Sequence, residues 1–305
     1  MPPGNDALAK YFQATVALRQ KDPRISEDLE VARACANNIA SLASEPTEVM
    51  YQDEPDLTFL GPALWCIPLA ARDSPNVILY FHGGGYVTNS IASHRKMAAH
   101  FGKAAGMKVL MVEYWLAPEH KFPTQLENAV DSYKFLLKKG YKPENIATMG
   151  DSAGGNLCTA VVLKLRELGE PLPRAIVPIS PWYDMKFPDG TIDTCVETDA
   201  LIRREGLQLM VDAFLHPKDQ SDPLAHILDA DPKGLPPMYI AVGGYETLRD
   251  NATKFAEKAR GAGVEVELDI ADGQQHVYTF MAGKDKLADQ TISSAGKWLR
   301  AKLPS

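Results

Sequence analysis

Cysteine is scarce in this chain of 305 residues, and its four cysteines (Cys35, Cys66, Cys158 and Cys195) are scattered. They form no C-x-x-C pair and no cluster with histidines that has the spacing of metal ligands. We therefore expect neither a disulfide framework nor a zinc site. Reduced, buried thiols are typical of an intracellular protein, so we expect a cytoplasmic location.

Long apolar stretches and an excess of positive charge are also missing. The first residues, MPPGNDALAKYFQ, contain no basic segment followed by an apolar core, so neither a signal peptide nor a membrane span is expected. The net charge is −7, which disfavours nucleic acid and anionic membranes as partners. Hydrophobic residues make up 45% of the sequence, and a chain of this length can bury one large core.

The sequence does contain a regular alternation of short apolar runs and helical patterns. The apolar runs have the near-continuous hydrophobicity of strands buried on both faces, and they lie at 76–81, 108–114, 146–149, 175–179, 238–242 and 264–270. Helical patterns separate most of them, at 93–105, 124–139, from 153 onwards, 251–262 and 287–301. This order predicts an α/β fold with a mostly parallel central sheet and helices on both faces. Two further strands, at 49–52 and 61–69, are predicted to be antiparallel edge strands.

Two regions break this alternation. Helical patterns at 6–20 and 26–43 precede the first strand, and residues 182–224 contain no good strand. An excursion of that size inside a regular α/β pattern is either functional or a separate layer. We interpret the two regions as halves of a lid over a pocket, with outer packing as the alternative for the N-terminal helices.

The apolar run at 146–149 leads into Gly150-Asp151-Ser152-Ala153-Gly154, which has the form G-x-S-x-G. In such a nucleophile elbow, the serine lies on a sharp turn between strand and helix, and small neighbours let the two elements approach closely. The helix start adds free N–H groups and the positive end of the helix dipole. The pattern alone is short enough to occur by chance, and a glycine-rich turn of this kind can also bind phosphate.

Two more polar residues follow strands that should end at the same edge of the sheet, where ligands of parallel α/β sheets bind. Glu246 follows the strand at 238–242, and His276 follows the last strand, which gives the chain order serine, acid, histidine. A neutral imidazole can take the proton of a serine hydroxyl, and a carboxylate can hold the correct tautomer. Glu246 and Asp250 compete for the acid position. Glu246 is preferred, because Asp250 stands just before a helix as a natural N-cap.

A run of glycines, Gly83 to Gly85, follows His82 at the end of the strand at 76–81. Without Cβ atoms, their backbone N–H groups can face inward and, with the N–H of Ala153, hold a developing oxyanion. His82 is expected to brace this loop. A phosphate-binding loop is disfavoured, because no G-x-x-x-x-G-K-[ST] occurs and the run leads to Tyr86 and Val87 instead of a helix.

These motifs, in this order, resemble those of the hormone-sensitive-lipase-like carboxylesterases of the α/β-hydrolase fold. The resemblance runs from about Trp65 to Trp298 and rests on HGGGY from His82, LAPEH from Leu116, GDSAGG from Gly150, YETLRD from Tyr245, and His276. The chain also looks similar to acetyl-hydrolases and ε-lactone hydrolases. It departs from the family at two points: Glu246 stands where many members have aspartate, and Trp115 stands where an arginine is usual, so a fork of donors is lost.

The resemblance implies a serine hydrolase of esters without metal or other cofactor. It also implies an oxyanion hole formed by Gly84, Gly85 and Ala153. The implied cap consists of N-terminal helices at 1–45 and an insertion at about 184–225, on a catalytic domain that spans 46–305.

The leading hypothesis is a carboxylesterase or lactonase that forms an acyl-enzyme at Ser152 and acts on short- to medium-chain or cyclic esters. Tyr86, Trp182 and Tyr183 are candidate substrate-binding residues, or else core aromatics. The expected partner is a small-molecule ester or lactone, and a homodimer through an edge strand or the last helix is compatible with the resemblance. A non-catalytic binding protein on the same fold is the main alternative, and the presence of His276 disfavours it. Because no membrane anchor is expected, an interfacial lipase is disfavoured. The motifs alone do not distinguish an esterase from an amidase or a peptidase.

Overall fold

A computed structural model describes residues 7–57 and 61–304. These residues contain a sheet of eight strands, namely Val49–Asp53 (β1), Ala63–Pro68 (β2), Val77–Phe81 (β3), Lys108–Val112 (β4), Ile146–Asp151 (β5), Ala175–Ile179 (β6), Met238–Gly243 (β7) and Val266–Ala271 (β8). The strand order is β1-β2-β4-β3-β5-β6-β7-β8. The six strands from β4 onwards in this order, which include β3, pair in parallel, as the alternation of strands and helices predicts.

The helices lie before, between and after these strands. They are Ala7–Lys21 (α1), Arg24–Glu27 (α2), Leu29–Asn37 (α3), Ile91–Ala105 (α4), Thr124–Lys138 (α5), Ala153–Glu167 (α6), Thr191–Thr194 (α7), Arg204–Phe214 (α8), Arg249–Gly261 (α9) and Lys286–Lys302 (α10). Apolar residues of α5, α6 and α9 join one core cluster, and those of α1, α4 and α10 join another. None of the helices in the described ranges is long and apolar enough to cross a membrane.

The central strands separate these two cores. All five residues of β3 are buried. Val77, Leu79 and Phe81 face the cluster of α5 and α6, whereas Ile78 and Tyr80 face the cluster of α4 and α10. Burying a large apolar side chain contributes about 1.5–3 kcal/mol, so each residue of such a run adds stability on one face or the other. Burial of both faces therefore explains why the apolar runs of the sequence are nearly continuous.

The two N-terminal strands are antiparallel, as predicted, but only one of them is an edge strand. β1 pairs with β2, and β2 pairs with β4. The prediction that both are edge strands is therefore wrong for β2, which lies inside the sheet. β8 forms the opposite edge.

The prediction of one continuous helix at 26–43 is wrong. The chain is extended at Asp28 (φ −108°, ψ 112°), which ends α2 and starts α3. The Asp28 carboxylate accepts the N–H groups of Glu30 and Val31 at 3.0 and 3.2 Å and so caps α3. A short 3-10 turn, Asn38–Ser41, follows. Apolar spacing continues across this break, which is why periodicity alone does not detect it.

Candidate active site

Ser152 occupies a sharp turn between β5 and α6. Its backbone angles are φ 54° and ψ −117°, outside the regions that residues with a Cβ prefer, and such a conformation costs about 1–3 kcal/mol. Three backbone hydrogen bonds hold it: Ser152 N–H donates to the Ile179 carbonyl at 2.9 Å, and the Ser152 carbonyl accepts from Asn156 and Trp182. The turn therefore has the geometry expected of a nucleophile elbow.

The glycines beside Ser152 permit this close approach of strand and helix. A Cβ on Gly154 would overlap the backbone carbonyl of Phe81 in β3, and a Cβ on Gly150 would overlap the carbonyl of Gly154. Both neighbours are backbone atoms, one in β3 and one in α6, that cannot move away without disturbing the strand or the helix. Glycine is therefore required at both positions.

The side chains of Ser152, His276 and Glu246 form a continuous chain of hydrogen bonds. His276 Nε2 lies 3.0 Å from Ser152 Oγ, and His276 Nδ1 lies 2.8 Å from Glu246 Oε2. Glu246 is completely buried, and its other oxygen accepts the Ser180 hydroxyl at 2.5 Å and the Gly243 N–H at 2.6 Å. The loops after β5, β7 and β8 thus bring together three residues separated by up to 124 positions.

Electrostatics at this chain of groups favours the charged form of His276, whereas burial opposes the charge of Glu246. Burial raises the pKa of Glu246 above its ordinary value, although His276, Ser180 and the Gly243 N–H all act to lower it. Burial acts to lower the pKa of His276, but the carboxylates of Glu246, Asp199 and Asp151 together more than offset it, so that this pKa is also raised. An imidazolium formed when His276 accepts the serine proton would therefore be stabilised.

Asp250, the alternative acid, is occupied elsewhere. Its carboxylate accepts the Thr191 N–H at 3.3 Å and pairs with Lys254 Nζ at 3.1 Å. The expectation that Asp250 is an N-cap is wrong, because α9 already begins at Arg249 and Asp250 lies in its first turn. The carboxylate at His276 is that of Glu246.

The loop after β3 presents its glycines beside Ser152. Gly84 and Gly85 have positive φ angles of 111° and 63°, a region that glycine enters without strain. Both line the same pocket as Ser152 and His276. Their N–H groups have no protein acceptor among residues 7–57 and 61–304, and the N–H of Ala153, the first residue of α6, has no intrahelical acceptor. Three free donors are thus available near the serine hydroxyl.

A buried polar network that sequence reasoning missed holds this loop. The Asp151 carboxylate accepts the Gly83 N–H at 3.2 Å and the Tyr80 hydroxyl at 2.7 Å, and it lies 3.1 Å from His94 Nε2. Burial acts to raise the pKa of Asp151, but the adjacent His94 holds it below its ordinary value. A charged Asp151 next to Ser152 therefore ties the glycine loop to the elbow.

His82 braces the loop, as expected. Its ring Nδ1 lies 2.7 Å from the Gly83 carbonyl, and its own carbonyl accepts the Tyr114 hydroxyl at 2.6 Å. Its Nε2 is 3.3 Å from the Glu113 carboxylate. The His82 side chain is fully buried in these contacts and does not line the pocket that contains Ser152.

A pocket that is open to solvent lies above Ser152. Its walls come from both regions that interrupt the α/β alternation, and most of its side chains are apolar, including Tyr11, Phe12, Trp182, Leu201, Ile202, Leu207, Met210 and Phe280. Two cations, Arg19 and Arg203, also line it. Met210 of α8 lies directly against Gly85, so a side chain of the interrupting region covers the glycine loop.

Of the three aromatic residues considered for substrate binding, only Trp182 lines this pocket. Tyr86 stacks on Phe214 at 4.0 Å between ring centroids and donates its hydroxyl to Asn156. Tyr183 packs against Phe255, and its hydroxyl bonds with that of Thr159. Tyr86 and Tyr183 are therefore core aromatics, the alternative that their sequence context left open.

A guanidinium from another part of the chain supports the LAPEH segment. Arg33 of α3 donates to the carbonyls of Val87 and Ala117 at 2.9 and 3.1 Å and pairs with Glu119 at 2.7 Å. The arginine that the resemblance led us to expect is replaced by Trp115, whose ring lies against that of His120 at 4.4 Å between centroids, tilted by 36°. Arg33 thus ties an N-terminal helix to the segment that follows β4.

Fold and site together define an α/β hydrolase, and comparisons with known proteins agree. A family model described as the alpha/beta hydrolase fold matches residues 78–280. An acetyl-hydrolase from Streptomyces hygroscopicus is 36% identical over 238 residues, 78% of this chain and 79% of the relative. An esterase from Acinetobacter venetianus is 33% identical over 226 residues, 72% of this chain and 75% of the relative.

Solved structures narrow the class further. The crystal structure of an esterase from the bacterial hormone-sensitive lipase family superimposes with a TM-score of 0.91 at 34% identity, and the match covers 99% of this chain and 100% of that esterase. The protein belongs to the hormone-sensitive-lipase-like carboxylesterases of the α/β-hydrolase fold.

Proposed function

We propose that this protein is a serine carboxylesterase that hydrolyses short- to medium-chain esters or lactones through an acyl-enzyme at Ser152. The observation that carries this proposal is the unbroken hydrogen-bond chain from Ser152 through His276 to Glu246. It gives a poor nucleophile the adjacent base that it needs. The names of relatives as esterases and as an acetyl-hydrolase support the same reaction class.

In the first half-reaction, Ser152 Oγ attacks the ester carbonyl carbon while its proton passes to His276 Nε2. The tetrahedral intermediate then collapses: the bond to the alcohol oxygen breaks, and the His276 imidazolium returns the proton to that oxygen. In the second half, water attacks the acyl-enzyme with the same proton transfers, which releases the acid and regenerates the Ser152 hydroxyl. The Glu246 carboxylate keeps Nδ1 of the imidazole protonated throughout.

The oxyanion of the tetrahedral intermediate would bind the N–H groups of Gly84, Gly85 and Ala153. The positive φ angles of the two glycines and the lack of protein acceptors for their N–H groups support this role. One such donor is worth about 2.7–4 kcal/mol in the transition state. The tie between Gly83 and Asp151 would keep these donors in place before substrate arrives.

The two interrupting regions, within 1–45 and about 184–225, would form a cap over the catalytic domain. Phe12 of α1 and Met210 of α8 line the pocket from these regions, which supports the proposal. Met210 lies against Gly85 and leaves limited room next to the oxyanion donors. A short or medium acyl chain, or a small lactone ring, suits that space. A cytoplasmic location remains a prediction from the sequence.

Labelling with an organophosphonate tests the proposal directly. Intact mass would be measured for wild type and Ser152→Ala, beside hydrolysis of p-nitrophenyl butyrate and of a six- or seven-membered lactone. We expect one adduct on wild type, none on the variant, and loss of turnover in the variant. A folded wild-type protein with neither adduct nor turnover would contradict the proposal. A p-nitroanilide of the same acyl group distinguishes esterase from amidase activity.

A further inference from the structure

A short segment before α8, residues 198–202, contacts both loops that carry the partners of Ser152. Leu201 and Ile202 of this segment line the substrate pocket. The neighbouring Thr198 hydroxyl donates to the Tyr245 carbonyl at 3.1 Å, next to Glu246. The segment is therefore placed between substrate and catalytic loops, although no group in it takes part in the proposed chemistry.

Asp199 links this segment to the loop of Glu246. Asp199 is 1% exposed. Its Oδ2 accepts the N–H and the hydroxyl of Thr247 at 2.9 and 3.0 Å, and its Oδ1 accepts the N–H groups of Leu201 and Ile202, both at 2.9 Å. One carboxylate thus holds the pocket wall with one oxygen and the residue after Glu246 with the other.

Only a carboxylate fits this arrangement of donors. Both oxygens of Asp199 receive two donors each, and a carboxylate is the side chain that accepts at both ends. An amide would turn its NH₂ group towards two of the four donors. Among the described residues Asp199 is in no ion pair, since the nearby Arg203 donates to its backbone carbonyl instead. A buried, unpaired charge held only by hydrogen bonds is costly to keep, which points to a role for the charge itself.

Gln275 links the same segment to the loop of His276. Gln275 is fully buried. Its Oε1 accepts the Ala200 N–H at 2.7 Å, and its Nε2 donates to the Thr198 carbonyl at 2.9 Å. The residue before His276 is therefore fixed by two hydrogen bonds to the segment that Asp199 anchors.

We propose that Asp199 and Gln275 are positioning residues for the esterase reaction, which lock the pocket-lining segment 198–202 onto the loops of Glu246 and His276. This inference rests on the proposed function. It makes the alignment of the acid and the base depend on the segment that contacts substrate. The negative charge of Asp199, like those of Glu246 and Asp151, also raises the pKa of His276.

The charged groups around His276 set the sign of this electrostatic effect. Glu246, Asp199 and Asp151 all raise the pKa of His276, while burial lowers it. Arg19 of α1 and Arg203 line the same pocket and act in the opposite direction. Neutralising Asp199 removes one of the three negative charges, so the pKa of His276 should fall.

The test is Asp199→Asn, compared with wild type over the pH range of the acid limb of kcat/KM. The number of reactive sites would be counted by phosphonate labelling, so that kcat refers to assembled sites only. We expect kcat per labelled site to fall about 10- to 100-fold, as for a misplaced catalytic group, and the acid limb to move to lower pH. Asp222→Asn is the matched control, because Asp222 also accepts a backbone N–H in the interrupting region, at 2.8 Å from Leu224.

A second variant keeps the test decisive if Asp199→Asn folds poorly. Gln275→Leu removes both hydrogen bonds at similar volume, and kcat per labelled site should again fall. Unchanged kcat per labelled site in the variants that fold, with only the number of sites or Tm lowered, would overturn the inference. So would an unshifted acid limb in folded Asp199→Asn. Wild-type labelling and turnover are measured first, and they fail only if the proposed function itself is wrong.

Discussion

Replacing Glu246 by glutamine tests the acid of the site with almost no change in shape. The amide must place its NH₂ either towards the Gly243 N–H, which is a donor 2.6 Å from Oε1, or towards His276 Nδ1. The Ser180 hydroxyl can rotate, but the Gly243 N–H cannot. The NH₂ group should therefore face His276. Nδ1 then becomes an acceptor and Nε2 carries the proton, so that His276 can no longer accept the proton of Ser152.

The size of the effect follows from this wrong tautomer. The corresponding aspartate-to-asparagine change in a serine protease lowers kcat about 10⁴-fold. We expect about 10³- to 10⁴-fold for Glu246→Gln, which is about 4–5.5 kcal/mol of transition-state stabilisation at 1.36 kcal/mol per factor of ten. The assay is kcat on p-nitrophenyl butyrate per phosphonate-reactive site, with Tm as a check on folding.

Asp250→Asn is the matched control for this substitution. Asp250 is partly exposed, and its ion pair with Lys254 spans 3.1 Å. Exposed pairs of this kind contribute about 0.2–1 kcal/mol, so we expect a small loss of stability and kcat within about twofold of wild type. The assignment of Glu246 is refuted if Glu246→Gln keeps more than about a tenth of wild-type kcat, or if Asp250→Asn loses as much as Glu246→Gln.

Four further outcomes are expected. Burial acts to lower the pKa of His276 but the carboxylates around it together raise it by more, so kcat/KM should decline on acidification with a midpoint above the ordinary histidine value of about 6.5, and a midpoint at or below that value would contradict this. Gly154→Ala should abolish cooperative thermal unfolding or lower Tm sharply, because the Cβ would overlap a β3 carbonyl. By contrast, Gly206→Ala in α8, where nothing lies within 4 Å of the added Cβ, should raise stability by about 0.5–1 kcal/mol. Arg19 and Arg203 line the pocket, so the double glutamine variant should lose kcat/KM selectively for a hemisuccinate ester over a butyrate ester, and equal losses would rule out charge recognition.

The sheet and the elbow could be predicted because their signals are local. A strand such as β3 needs apolar residues on both faces, and a tight turn needs glycine at particular positions, so composition over five to ten residues is informative. The pairing of Glu246 with His276 follows from topology, because parallel strands end at one edge. The preference for Glu246 over Asp250 rested on an N-cap position for Asp250 that the structure does not have, although it is Glu246 that contacts His276.

The second set of buried polar groups and the packing of individual aromatic residues could not be predicted in the same way. The segment around Asp199 has no periodicity, and its partner Thr247 is 48 positions away. Whether Tyr86 faces the pocket or the core depends on its stacking against Phe214, a residue 128 positions further along the chain. Likewise, the extended backbone at Asp28 leaves no trace in the spacing of apolar residues. Hydrogen-bond partners of this kind are determined by the assembled fold.

Strained backbone conformations cluster in the loops around the catalytic residues. In the described ranges, the non-glycine residues with positive φ are concentrated here: Tyr86, Asn89, Ser152, Ser180 and Val277, with only Glu48 and Phe187 away from the catalytic loops. Each such residue costs about 1–3 kcal/mol, so five together approach the net stability of about 5–15 kcal/mol of a whole domain. The strands and helices that flank these loops contribute to the two core clusters on either side of the sheet, and such surroundings are what allow strained conformations to persist. The stability of the sheet and the geometry of the reaction centre are therefore coupled: a cavity made beneath β5 or β7 should loosen the alignment of Ser152, His276 and Glu246 before it unfolds the chain.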